Sequence, residues 1–277
     1  MKIIVNPVTS LWPALLQRPV MDASKLEKQV KKILEKVKDK GDSALKKYTA
    51  EFDGVKLKKL RISDKEIKAA LGEVPASLAT AIQQAAPNIR QFHSAQLKDE
   101  PVVEISAGIR CWRKSVAIDR VGFYIPGGSA PLFSPVLMLG IPASLVGAKS
   151  IVLCTPPNKE GQVHPAILYA ASLAGITDIY KVGGAQAIAA MAYGTDSIPK
   201  VDKIFGPGNQ YVTCAKQLLQ MQGVAIDMPA GPSEVCVLAD DTANADWIAA
   251  DLLSQAEHGP DSQVLLITTE ATLPAKV

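Results

Sequence analysis

The sequence predicts an α/β protein, a mostly parallel sheet with helices on both faces. Three observations predict it. From Arg120 onward, strand, turn and helix signals repeat in that order. Before Arg120 the apolar residues fall mainly at helical spacing. The uncharged stretch Val121–Ala148 holds Pro126, Pro131, Pro135, Pro142 and a Gly127-Gly128 pair. It therefore cannot be one spanning helix, and fits a strand, a turn and a buried helix.

Taken in order, Leu26, Val30, Ile33 and Val37 form one apolar stripe, which Gly41 ends. Leu45, Tyr48 and Phe52 form a short second one. A third helix is expected over Asp64–Leu71. Leu78, Ile82, Ala85, Ile89 and Phe92 mark a longer helix, interrupted or bent near Pro87. Val102–Ile118 alternates like two antiparallel strands about Ala107-Gly108. Strands then fall at Val121–Ile125, Ser150–Cys154, Asp178–Val182, Lys203–Phe205 and Val224–Asp227. Helices at Pro131–Val146, His164–Ala174, Ala185–Tyr193 and Asn209–Met221 separate them. Met228-Pro-Ala-Gly-Pro232 is rigid and helix-incompatible, and reads as a crossing between domains. Beyond it come a strand (Glu234–Ala239), a helix (Asn244–Glu257) and a strand (Gln263–Thr268).

The 277 residues carry a formal net charge of +3, too small for an electrostatic binding protein. Lysines gather between Lys25 and Lys59 but alternate with Glu27, Glu35, Asp39 and Asp42, as on a solvated helix face, which argues against nucleic acid. Cys111, Cys154, Cys214 and Cys236 lack paired spacing, so neither a disulfide framework nor a cysteine zinc site is expected. Reduced thiols and a start too weakly apolar for a signal peptide point to the cytoplasm. Cys154 and Cys236 lie in apolar strands and are expected to be inert core residues.

Three Gly-marked turns end strands and open helices: Tyr124-Ile-Pro-Gly-Gly-Ser129, Gly183-Gly-Ala-Gln186 and Gly206-Pro-Gly-Asn209. Ligands of open α/β sheets bind at such ends, so the turns suggest a groove for an anionic or dinucleotide ligand. None matches Gly-x-Gly-x-x-Gly, so a standard pyrophosphate grip is not supported. Glycines that merely permit tight turns explain each one equally well. Ser233, at a strand start, either faces substrate or caps the turn. Gln255 and His258 stand three apart, on one helix face that Gly259-Pro260 stops. Both offer lone pairs to a metal, but a zinc site needs at least three ligands. His93 and His164 have no motif partners and are expected at the surface or a helix end.

Asp227-Met-Pro-Ala-Gly-Pro-Ser-Glu234, Gly206-Pro-Gly-Asn209 and Leu252-Leu-Ser-Gln-Ala-Glu-His-Gly-Pro-Asp-Ser-Gln263 together resemble the histidinol dehydrogenase family. Tyr124-Ile-Pro-Gly-Gly-Ser-Ala-Pro131 and Val182-Gly-Gly-Ala-Gln-Ala-Ile-Ala189 agree, and the likeness runs from about Leu15 to Val277. The resemblance implies a Rossmann-like, aldehyde-dehydrogenase-like α/β fold with an incomplete C-terminal part. It also implies an NAD- and zinc-dependent oxidation of L-histidinol to L-histidine through the aldehyde. Carried over by motif, Tyr124, Gln186 and Asn209 would contact NAD, Ser233 the substrate, and Gln255 and His258 both zinc and substrate. Residues 1–20 would be a tail, 21–123 and 232–277 a split first domain, and 124–231 the inserted nucleotide-binding domain.

In the family a Glu-His pair supplies the acid and base and lies further along, as do two more zinc ligands, an Asp and a His, the last reaching across from a partner subunit. No such pair follows His258 here. The chain is therefore expected to be an N-terminal portion without catalytic residues of its own. The full-length family is expected to be a homodimer. Two alternatives stand beside this reading: an inactive NAD-binding fragment or assembly module, and a cysteine-based aldehyde dehydrogenase.

Overall fold

Periodicity between Arg120 and Ile226 resolves into alternating strands and helices close to the expected bounds. In the computed structural model residues 2–17, 23–98, 100–127, 132–229, 234–257 and 262–277 are described. The first elements are helices α1 (Trp12–Leu15), α2 (Ala23–Tyr48), α3 (Asp64–Leu71) and α4 (Ala76–Ser94), then strands β1 (Val103–Ser106) and β2 (Ile109–Cys111). The alternating region begins with β3 (Arg120–Tyr124), α5 (Ser134–Leu145), β4 (Ser150–Thr155), α6 (Pro165–Leu173) and β5 (Asp178–Lys181). It continues as α7 (Gly184–Tyr193), β6 (Lys203–Phe205), α8 (Gln210–Gln220) and β7 (Ala225–Ile226). Last come β8 (Glu234–Ala239), α9 (Ala245–Ala256) and β9 (Gln263–Thr268).

By their contacts the residues form two units, one of Ser24–Pro229 and one of Met1–Ala23 with Ala230–Val277. In the first, a parallel sheet runs in the order β5-β4-β3-β6-β7. After β3 the chain adds β4 and β5 on one side and then returns to add β6 on the other. The sheet therefore has a switch point between β3 and β6. Both faces are covered, which is why its strands are apolar on both sides. Tyr124, Val152, Cys154 and Ile204 face a cluster with Val30, Leu34 and Leu45 of α2 and with α7 and α8. Val121, Phe123, Leu153 and Ile179 face another with α4, α5 and α6.

The expected stop at Gly41 is a break inside α2, where φ 48° and ψ −130° interrupt the helix before it resumes. Asp42 locks this break, because its carboxylate accepts from both the N–H and the hydroxyl of Ser197. Pro87 does not interrupt α4, which runs through it to Ser94. Pro87 and Gln83, whose carbonyl loses its donor, are both exposed residues, while Ile82 and Ile89 pack on the α5–α6 side. Ser63 opens α3 with a capping box shared with Glu66. Just before that cap the chain runs along the outer edge of β5: Lys181 N–H donates to Leu60 O at 2.8 Å and Ile62 N–H to Ile179 O at 2.9 Å.

In the second unit β8 and β9 pair in parallel, and Val235, Val237 and Leu266 pack on Ile248 and Leu252 of α9. The period of two sends Cys236 to the other face, where it is exposed. Its expected burial is thus corrected, since a continuous apolar run conceals which face each residue takes. Cys154 is fully buried, and that burial pushes its thiol far up.

Candidate functional site

Tyr124 ends β3 with its ring buried. Its hydroxyl accepts a hydrogen bond at 3.0 Å from the N–H of Gly184, the first residue of α7. Burial, partly offset by that N–H and reinforced by the nearby Asp53 carboxylate, pushes the phenol up to about 12. The phenol thus stays protonated at neutral pH. Gly184 takes φ +64°, and a Cβ there would lie 2.7 Å from Oε1 of Gln186. Gln186 is itself buried, and its side-chain amide has no hydrogen-bond partner among the described residues.

The turn after β6 closes on the same strand end. Gly206 takes φ +123°, and a Cβ there would collide with the Tyr124 carbonyl oxygen. Its N–H donates to Asp227 Oδ2 at 2.8 Å, and its carbonyl accepts from Lys216 Nζ at 3.0 Å. Lys216 and Asp227 pair with each other as well. Three residues on, Asn209 caps α8, its Oδ1 accepting from the N–H groups of Tyr211 and Val212 at 3.1 and 3.2 Å. With the Asn209 oxygen so occupied, its amide NH₂ is left to act as donor. Tyr124, Gln186 and Asn209 therefore gather at the carboxyl end of the sheet, at β3, α7 and α8. Gln255 lies on α9 in the other unit, half-buried. Ser233 and His258 fall outside the described residues. Among the described residues no three His, Cys, Asp or Glu side chains converge as a metal would need.

The histidinol dehydrogenase family model matches residues 16–277. The chain belongs to the histidinol dehydrogenase family. It is 57% identical over 277 residues to a histidinol dehydrogenase of Bacteroides fragilis, covering 100% of this chain and 65% of that protein. The Salmonella typhimurium histidinol dehydrogenase is 52% identical over 267 residues, covering 95% of this chain and 61% of its own length. A crystal structure of histidinol dehydrogenase from Elizabethkingia anophelis superposes with a TM-score of 0.90 at 56% identity, over 98% of this chain and 63% of that one. The chain thus spans about 65% of the length of the first of these family members. The α/β fold expected from the sequence is the fold of this family.

Beside the family's motif residues the structure brings in groups that the sequence does not single out. Lys216 and Asp227 look like ordinary charges on a helix and after a strand, and only the fold sets them under Gly206. Asp53 belongs to a turn of π-helix, Thr49–Asp53, far from any motif. His164 is a helix end, as expected, its Nδ1 accepting from Ala166 N–H at 3.2 Å. It borders a cavity of about 350 Å³ beyond β3 and β4, with Pro126, Thr155, Pro156 and Glu66 in its wall. No described helix is long and apolar enough to cross a membrane.

Proposed function

We propose that this chain carries the nucleotide-binding part of a histidinol dehydrogenase, with NAD held at the switch point by Tyr124, Gln186 and Asn209. The supporting observation is the convergence at α7: the Tyr124 hydroxyl on Gly184 N–H, beside the Gln186 side chain. Those groups fit a dinucleotide, since an amide offers it both a donor and an acceptor at the carboxyl end of the sheet. When bound, NAD supplies the hydride acceptor for oxidising an alcohol. The chain's own work is to hold it. Asn209 directs its NH₂ from the first turn of α8, Gln186 offers both an acceptor and donors, and the Gly206 turn fixes their spacing. In the same reading residues 124–231 are the inserted nucleotide domain, and 21–123 with 232–277 belong to a split first domain.

The substrate side of this reading is L-histidinol, oxidised to L-histidine through the aldehyde, with Ser233, Gln255 and His258 touching it. Gln255 and His258 would give zinc two donors, and a protein zinc site takes at least three. Among the described residues no cluster of three His, Cys, Asp or Glu side chains offers a zinc site. The whole protein is proposed to be a cytoplasmic homodimer.

Calorimetric titration of the 277-residue chain with NAD at millimolar concentration tests the nucleotide site. Saturable heat that Gln186→Ala diminishes is the expected result. No heat from the unaltered chain would count against the groove. Zinc analysis of the purified chain separates this reading from a complete metalloenzyme site, which would retain one ion per chain.

A further inference from the structure

The turn that carries Asn209 is held from beneath by a charge that its motif does not include. Gly206-Pro-Gly-Asn209 joins β6 to α8. Lys216 lies two turns further along α8, on the same face as Asn209. Helical side chains lean towards the helix start, so its stem runs back under the turn. Its Nζ reaches the Gly206 carbonyl at 3.0 Å. Asp227 arrives from the sheet: its own N–H donates to Ile204 O of β6 at 3.1 Å, and its Oδ2 accepts from Gly206 N–H at 2.8 Å. A helix residue and a strand-end residue thus grip one glycine by both of its backbone polar groups.

Burying an ammonium costs free energy that apolar neighbours do not return. Around Lys216, α8 buries Val212, Ala215, Leu218 and Leu219 in the core. The polar partners of Lys216 among the described residues are the Gly206 carbonyl and the Asp227 carboxylate, and both belong to the grip on the turn. The rest of the turn has no slack in which to absorb a shift of Gly206. The Pro207 ring fixes its own φ, and the Gly208 backbone lies so close to Val212 that a Cβ there would collide with it. Asn209 is tied by its oxygen to two N–H groups of α8. Moving Gly206 therefore moves the Asn209 amide.

We propose that Lys216, acting with Asp227 through Gly206, is a positioning residue of the nucleotide site: it sets where Asn209 presents its NH₂ to NAD. This rests on the nucleotide reading above and names what aims one of its donors. A donor displaced by about 1 Å loses most of its worth to a bound ligand, so affinity for NAD depends on a lysine that need not touch it.

Calorimetry with NAD on the 277-residue chain and its variants tests this, with thermal melting to confirm that each is folded. Lys216→Met is expected to weaken NAD roughly tenfold, the worth of one well-placed hydrogen bond. Lys216→Met with Asp227→Asn leaves no charge unpaired under the turn, but the Gly206 carbonyl still lacks its donor. That double variant is expected to regain stability and yet to bind NAD roughly tenfold more weakly than the unaltered chain. Should Lys216→Met alone fail to fold, the double variant carries the test. Asn209→Ser keeps an oxygen to cap α8 while removing the NH₂, and is expected to weaken NAD by itself. In that background Lys216→Met is expected to cost nothing further, since the donor it aims is already gone.

The role of Lys216 is overturned by any of three results: unaltered affinity in folded Lys216→Met, affinity regained with stability in the double variant, or further weakening by Lys216→Met in the Asn209→Ser chain. The nucleotide site stands in all three. If Asn209→Ser leaves affinity unchanged, Asn209 is no donor to NAD and the role of Lys216 falls with it. If the unaltered chain gives no heat with NAD, both readings fall together.

Discussion

Lys216 and Asp227 meet beneath the turn after β6, and both hold the same residue. The ammonium donates to the carbonyl of Gly206, and the carboxylate accepts from its N–H. The Lys216 side chain is only 7% exposed. Asp227 keeps 29% of its side chain exposed, so solvent takes up part of what it loses when Lys216 is removed. Lys216→Met is expected to lower stability by about 1–2 kcal/mol in urea unfolding at neutral pH. Lys216→Met with Asp227→Asn should recover part of that loss.

Gly206 itself tolerates no side chain. Its φ of +123° disfavours L residues, and a Cβ would run into the Tyr124 carbonyl. Gly206→Ala is expected either to cost about 2–3 kcal/mol or to push the turn outward. In the second case unfolding stays near normal while calorimetry shows weakened NAD binding. A variant unchanged in both respects would show that the turn is looser than its close contacts require.

Glu66 gives an acid-side prediction. Burial opposes its charge, but hydrogen bonds from Lys181 and from the N–H and hydroxyl of Ser63 outweigh it and hold the carboxyl at about 2, against an ordinary 4.5. The folded value is depressed, so the contribution is complete above about pH 4.5 and is lost as pH falls towards 2. The Glu66 side chain is 46% exposed, and solvent screening reduces the effect to about 1 kcal/mol. Comparing urea midpoints at about pH 6 and about pH 2.5 should show Glu66→Gln losing less on acidification than the unaltered chain.

Asp53 works in the opposite sense. Burial raises its carboxyl to about 6 from an ordinary 3.8. Between those values the folded chain holds the proton more tightly than the unfolded one, so this residue makes stability fall as pH rises. Part of the residue still meets solvent, and screening trims the effect. Asp53→Asn is therefore expected to gain about 1–2 kcal/mol near pH 7.5 and almost nothing near pH 3.5. Equal gains at both pH values would remove the charge from the explanation.

The alternation from β3 to β7 is legible in the sequence, because each strand is bounded by Gly or Pro turns and each helix runs long enough to show its period. Lys203–Phe205, Glu234–Ala239 and Gln263–Thr268 fall on their expected bounds. Glycine turns and family motifs mark Tyr124, Gln186 and Asn209. The features that stay hidden depend on contacts distant in sequence. Asp53 meets the field of Tyr124 only because Leu60–Ile62 folds back along β5, and no local pattern announces that pairing. Lys216 and Asp227 likewise acquire their role from the turn between them. Cys236 misleads because an apolar run says nothing of which face each residue takes. At Pro87 the helix continues without interruption, because packing of α4 on α5 and α6 overrides one missing donor.

Every strand of the β3–β7 sheet, with its covering helices, comes from the uninterrupted run Ser24–Pro229. During synthesis nothing later than Pro229 is needed to complete that sheet. That unit can therefore complete its sheet while the ribosome is still adding β8 and α9.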